Sequence, residues 1–305
     1  MDMNQNEIVH RTVLLKESLN GLNIKKGDVY LDGTLGGGGH LLEALKMGAK
    51  LSLGLDRDEG AITRARARIE NEGFSNYVFV NEDFRMMDRA LVRAEVEKVD
   101  KVMLDLGLSS DQLTTSGRGF SFMKNEPLLM TFKGYPLPND LTAEKIVNTW
   151  DEANIADIIY GWGEERYARR IARAICERRE EKPIATTFDL AEIINSAVPT
   201  FYKKGRTNAS TKTFQALRIT VNDEIGALQE GMVKAFSLLS NGGRMAIISF
   251  HSIEDRTVKN YFRERRDRGE ANVITKKPII ATEEELKDNP RARSAKLRIL
   301  EKIVD

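Results

Sequence analysis

The chain has 305 residues, 41% hydrophobic and 30% charged, which supports a sizeable core and excludes disorder as the main state. The length allows about two domains. Lysine plus arginine number 47 against 46 aspartate plus glutamate, a formal net charge of +1, which argues against coating nucleic acid by bulk charge but leaves room for a local basic face.

In chain order, residues 13–22 predict a short amphipathic helix and VYLD at 29–32 a strand. A helix follows over 40–48, with Gly48 as its C-cap, then a strand over 51–56. The spacing predicts a helix over 58–72 with Ala61, Ile62, Ala65 and Ile69 on one side, then strands over 77–84 and 99–107. Strands alternating with helices imply a parallel sheet covered on both faces. From about 110 to 213 the pattern is helical, over 141–149, 151–160, 164–180 and 187–197. From about 214 one long helix runs to the turn Asn241-Gly242-Gly243 and a strand over 244–250. Segments 271–275 and 296–303 close the chain as an antiparallel hairpin. The expected architecture is an α/β domain, 1–110 with 214–305, interrupted by a helical insertion over 111–213 that serves substrate recognition.

One cysteine, Cys176, precludes an intrachain disulfide and a four-cysteine zinc site, and three scattered histidines imply no metal, with a carboxylate-bound Mg²⁺ left open. No apolar run of about 18 residues is present. The opening MDMNQNEIVHRTVLL lacks a secretory pattern, so the cytoplasm is the expected compartment.

The loop Asp32-Gly33-Thr34-Leu35-Gly36-Gly37-Gly38-Gly39 joins the first strand to its helix, at the sheet edge where open α/β folds bind ligands. Asp56 ends the second strand, where a carboxylate accepts from both ribose hydroxyls of an adenosine cofactor; the other reading is a cap for the 58–72 helix. Phe84 follows the third strand, to meet an adenine ring or to pack in the core. The loop lacks the Lys-Ser/Thr of a nucleoside-triphosphate loop and the strict G-x-G-x-x-G of NAD enzymes. The Gly-Gly turn before the fifth strand and the terminal strand pair fit a class I S-adenosylmethionine (SAM) methyltransferase sheet.

Longer motifs sharpen this: YLDGTLGGGGH (30–40), LDRDEGAI (55–62), LDLGLSSDQL (104–113), RGFSF (118–122), YGWGEERYARRIARAICERR (160–179), GGRMAIISFHSIEDRTVK (242–259) and NPRARSAKLRI (289–299). Over nearly its whole length the chain resembles the RsmH (MraW) family of bacterial 16S rRNA cytosine N4-methyltransferases. The resemblance implies a SAM-binding domain with an inserted helical domain, and a cytidine of the small-subunit rRNA near the decoding centre as substrate. It implies SAM contacts by Gly38, Gly39, His40, Asp56, Phe84, Asp105 and Gln112. A homodimer is left open. The chain departs from the family at PLLMTFK (127–133), with Leu129, Thr131 and Lys133 in place of acid, base and acid, and at 208–212.

Methyl transfer to an exocyclic amine needs the nitrogen held in line and an oxygen acceptor on its N–H. Asp105, with Ser109 in the same run, is the catalytic candidate; Asp105 as a SAM contact only is the other reading. Phe120, Phe122 and Phe250 are candidates to stack a splayed base, or core residues. His251, His10 and Lys212 are candidate phosphate or base contacts, the histidines equally structural. Basic groups recur at Arg166, Arg169, Arg170 and Arg173, at Lys203, Lys204, Arg206 and Lys212, and at Arg263, Arg265, Arg266 and Arg268. They read as solvated faces paired with Glu164, Glu165 and Glu177, or as phosphate contacts. Competing functions are an amino-methyltransferase on another nucleic acid and a SAM-binding ribosome-assembly factor; an NAD-dependent oxidoreductase is disfavoured by the glycine spacing.

Overall fold

A computed structural model describes residues 12–108, 116–134, 136–205 and 207–303. The chain divides into two compact units, Met1–Gly107 with Ala227–Asp305, and Leu108–Gly226.

The first unit is built on strands β1 (Val29–Asp32), β2 (Leu51–Leu55), β3 (Tyr77–Val80), β4 (Val99–Asp105), β5 (Leu239–Ser249), β6 (Ala271–Val273) and β7 (Lys296–Lys302). Their order is β3-β2-β1-β4-β5-β7-β6. The first five run parallel, and β7 lies antiparallel to both β5 and β6. This is the class I methyltransferase order; α1 (Leu15–Leu22) precedes β1, and the crossover helices are α2 (Gly39–Lys46), α3 (Glu59–Asn71) and α4 (Met87–Arg93). The expected terminal hairpin is a pairing across a long connection, which carries α13 (Glu283–Asp288).

Strand alternation sends successive side chains to opposite faces and so builds two cores. Tyr30, Met103, Ala246 and Ile248 join Leu41, Leu42 and Ile299 on one face. Leu31, Val102, Leu104 and Ile247 join Leu228, Met232 and Phe262 on the other. Both cores lie against the same short strands, which is why these read as unbroken apolar runs.

The second unit holds α5 (Ala143–Thr149), α6 (Glu152–Gly163), α7 (Ala168–Glu181), α8 (Thr187–Ala197), α9 (Thr200–Lys203) and α10 (Ser210–Asn222). Apolar stripes at helical spacing, such as Ile171 and Ile175 on α7 and Leu190 and Ile194 on α8, bury one common core. Thr186 and Asp189 form a capping box that starts α8.

The long helix expected from about 214 is two helices, α10 and α11 (Glu224–Leu238), broken at Asp223, which takes a left-handed conformation at φ 50°. The break is held by a two-pronged ion pair, Arg218 Nε to Glu224 Oε1 at 2.8 Å and Arg218 Nη2 to Glu224 Oε2 at 2.9 Å. Asn222 is tied to the backbone of the same unit, donating to Met130 O at 2.7 Å and accepting from Phe132 N at 2.8 Å. Phe214 and Leu217 of α10 lie in the second unit's core, so the boundary falls after Gly226 rather than at 213/214. A helix over Ser252–Asp267 (α12) follows β5.

Candidate active site

Three carboxylates gather where β1, β2 and β4 end. Asp32 Oδ1 accepts from Thr34 N at 3.0 Å and from Thr34 Oγ1 at 3.4 Å. The same hydroxyl accepts from Asp105 N at 2.6 Å, so Thr34 ties the glycine loop to the end of β4. Asp56 Oδ2 accepts from Gly36 N at 2.8 Å and Oδ1 from Asp58 N at 2.9 Å. The helix cap is Asp58, whose side chain accepts from Gly60 N at 2.9 Å. Asp56 is thereby released from the capping reading: it braces the loop and keeps one acceptor site on each oxygen.

The loop turns through Gly36 (φ 50°) and Gly38 (φ 72°) before α2. A Cβ at Gly38 would also stand 3.1 Å from Ala65 Cβ, so the turn needs glycine on two counts. A Cβ at Gly37 would meet nothing within 4 Å, so the backbone there faces open space that a ligand can approach. His40 is buried in the first turn of α2.

Phe84 begins a 3₁₀ turn, Phe84–Met86, started by Asp83, whose side chain accepts from Arg85 N. Its ring lies over Gly231 of α11, where an added Cβ would be 2.5 Å from Cδ2 and Cε2. Gly231→Ala is therefore expected to displace the ring and cost about 1–3 kcal/mol by overpacking. Thermal melting checks the stability loss, and cofactor titration should show weakened binding alongside it.

Burial pushes the Asp32 carboxyl up to about 7, with Asp56 adding like charge. Burial also pushes Asp105 up to about 7, helped by the negative charge of Asp32 and opposed by the Gly107 N–H. Asp56 is raised too, again by burial, while its two backbone donors hold it down. Asp105 Oδ1 is buried without a hydrogen-bond partner among the described residues. The folded state therefore binds protons more tightly than the unfolded chain between about pH 4 and 7. The ligand-free protein is expected to lose stability as pH rises through that window. Melting temperatures at pH 5 and pH 8 should show the fall, and it should shrink in Asp105→Asn.

Beyond Asp105 the chain is covered by Phe250: a Cβ at Gly107 would lie 2.7 Å from its Cε2. Phe250 is fixed by a capping box at the start of α12. Glu254 Oε2 accepts from Phe250 N at 2.8 Å, and Glu254 N donates to His251 Nδ1 at 3.3 Å. His251 Nε2 lies 3.0 Å from Glu254 Oε1. His251 thus holds the start of α12.

The other sequence candidates lie in the second unit. Phe120 is in its core, stacked on Phe132 with centroids 5.8 Å apart, and Phe122 meets Phe214 edge-on at 5.4 Å. Lys212 Nζ donates to Glu164 O at 2.8 Å, at the C-terminus of α6. Of the departures at 127–133, Thr131 is buried and Lys133 pairs with Asp140 at 2.5 Å. The carbonyls of residues 131–133 all accept from Arg118 Nη1. Ser109, Gln112, His10 and Arg206 lie outside the described residues. Thr34 and Glu254 were not singled out from sequence; the Asp-x-Thr turn and the His-x-x-Glu cap spacing are the signals that mark them.

The description of the MraW methylase family matches residues 7–303. The chain belongs to that family. Among its relatives is a protein of Carboxydothermus hydrogenoformans called ribosomal RNA small subunit methyltransferase H, 44% identical over 312 residues, covering 97% of this chain and 99% of the relative. A Synechocystis protein of the same name is 46% identical over 295 residues, covering 96% and 93%. This methylase is a SAM-dependent enzyme. No described helix is long and apolar enough to cross a membrane.

The residues present suit that cofactor. The glycine loop leaves its backbone open, Asp56 keeps free acceptor sites, and a buried Asp105 oxygen awaits a donor.

Proposed function

We propose that the protein transfers a methyl group from SAM to the exocyclic N4 amine of a cytidine in 16S rRNA of the small ribosomal subunit, near the decoding centre. The observation that carries this reading is Asp105, whose buried oxygen has no partner among the described residues at the end of β4, beside the loop.

Gly38, Gly39 and His40 would meet SAM at the start of α2, Asp56 its ribose, and Phe84 its adenine. The cofactor, when bound, supplies an electrophilic methyl group on a positive sulfur. The chain's own residues do the rest. The amine nitrogen must attack in line while its lone pair is withdrawn from the cytosine ring. The Asp105 carboxylate accepts one amine N–H, turns the lone pair toward the methyl carbon, and takes the proton released as the new C–N bond replaces the C–S bond. Phe250, fixed over Gly107 by the Glu254 cap, offers a face for the splayed base. The second unit supplies RNA recognition. The cytoplasm, where ribosomal subunits are built, is the compartment this reading calls for.

Methyl transfer from labelled SAM to unmodified small subunits, against the same rRNA stripped of protein, tests the reading. Label is expected in the RNA of at least one of these substrates. Absence of label from both, with SAM bound, would leave a cofactor-binding assembly factor as the better account.

A further inference from the structure

The three basic groups named from sequence do not fare alike. In α12 and the turn after it, Arg265 pairs with Glu270 at 2.8 Å, Arg266 with Asp267 at 2.7 Å, and Arg268 with Glu264. On α7, Arg173 reaches Glu152 at 3.7 Å, Arg178 reaches Glu192 at 3.5 Å, and Arg179 binds the carbonyls of Val147 and Trp150 at 3.1 and 2.7 Å. Arg166, Arg169 and Arg170 are exposed and have no acid partner among the described residues. Of the three acids expected to pair with them, Glu165 is buried and otherwise engaged, accepting from Tyr202 Oη at 2.5 Å and from Tyr167 N at 2.9 Å.

That buried anchor sets up an aromatic platform. Tyr167 and Tyr202 meet edge to face at 4.9 Å, and the Arg166 guanidinium sits 4.8 and 4.9 Å from their ring centres. It also lies 5.8 Å from the ring of Phe201, which is 66% exposed. A guanidinium stacked on rings keeps its in-plane donors for an oxyanion. Arg169, Arg170 and Arg173 line an open cleft of about 360 Å³ between α7 and α8, with Glu177 and Ser196 also on its wall. Lys203 and Lys204 are exposed beside Phe201.

Unneutralised arginines next to a solvent-facing aromatic ring match the two needs of a single strand of nucleic acid: cations for phosphates and a flat face for a base. We propose that this face of the second unit docks an unpaired RNA segment, with phosphates along Arg166, Arg169 and Arg170 and a base stacked on Phe201. The proposal rests on the rRNA reading above and names a substrate contact on the second unit.

The test uses the full chain and a fluorescent ten-nucleotide oligouridylate, titrated at several salt concentrations. Arg169→Ala/Arg170→Ala is expected to weaken binding at least tenfold, and to flatten the slope of log affinity against log salt by about 1.4, that is, about 0.7 for each lost phosphate contact. Phe201→Ala should weaken binding about tenfold with the slope unchanged. SAM affinity and melting temperature should stay as in the wild type, since all three side chains are exposed, and Arg263→Ala/Arg266→Ala should change nothing. Wild-type affinity and slope in both surface variants would overturn the proposal, as would a wild type that does not bind the oligonucleotide. Normal oligonucleotide binding with lost binding to small subunits would assign the face to a ribosomal protein and overturn it too. Methyl transfer by the wild type reports separately on the rRNA reading.

Discussion

Asp105→Asn is expected to lower kcat by about 10²- to 10⁴-fold, the usual worth of a positioned proton acceptor. The amide keeps the shape of the side chain and loses the charge and basicity. The Asp105 backbone N–H still reaches Thr34 Oγ1 at 2.6 Å, so the loop should keep its place. SAM affinity should change much less than turnover. A residue that served only as a cofactor contact would show the reverse, a raised KM for SAM with kcat preserved. The pH profile separates the readings further. Burial and Asp32 push Asp105 up to about 7, and in the proposed role its ionised form is the acceptor. In the wild type kcat/KM for SAM should rise with pH through about 7 and level off above, since that ratio reports the free enzyme. Because Asp32 also stands at about 7, the limb belongs to the pair rather than to one residue. In Asp105→Asn the limb should shift toward the value of Asp32 alone.

Asp56→Ala should weaken SAM binding by about two orders of magnitude, as expected when hydrogen bonds to a carboxylate are lost. Two effects add. The free acceptor sites that would face the ribose disappear, and Gly36 N and Asp58 N lose their partner at 2.8 and 2.9 Å. Calorimetric titration measures the affinity directly. At saturating SAM most of kcat should return, because Asp56 has no part in the amine chemistry. Asp56→Asn, which still accepts through one oxygen, should fall between alanine and wild type. An unchanged dissociation constant for Asp56→Ala would remove Asp56 from the cofactor site.

Much of the first unit was legible because short buried strands alternate their faces. VYLD and VDKVMLD read as apolar runs because both faces are covered, Tyr30 and Met103 on one side and Leu31 and Leu104 on the other. The glycine loop was legible because strand and helix flank it. Which aspartate caps α3 was not: Asp56 and Asp58 are both allowed by composition, and only the backbone path gives Asp58 the Gly60 N–H. The break at Asp223 was hidden because apolar spacing continues through it; the Arg218–Glu224 fork that holds it is a tertiary fact. Phe120, Phe122 and Phe250 look alike in sequence. Long-range packing sends the first two into the second unit's core and lays the third over Gly107. Likewise, arginine spacing on α7 showed a basic stripe, but only the fold shows Glu165, one of its expected acid partners, turned inward to Tyr202.

The central claim is chemical: the carboxylate at the end of β4 serves an exocyclic amine. It is tested most directly by digesting the RNA of small subunits methylated with labelled SAM and identifying the labelled nucleoside by mass spectrometry. The account predicts that the label lies on N4-methylcytidine, at one site. Label on a ring carbon of cytidine, on a ribose oxygen or on another base would contradict it.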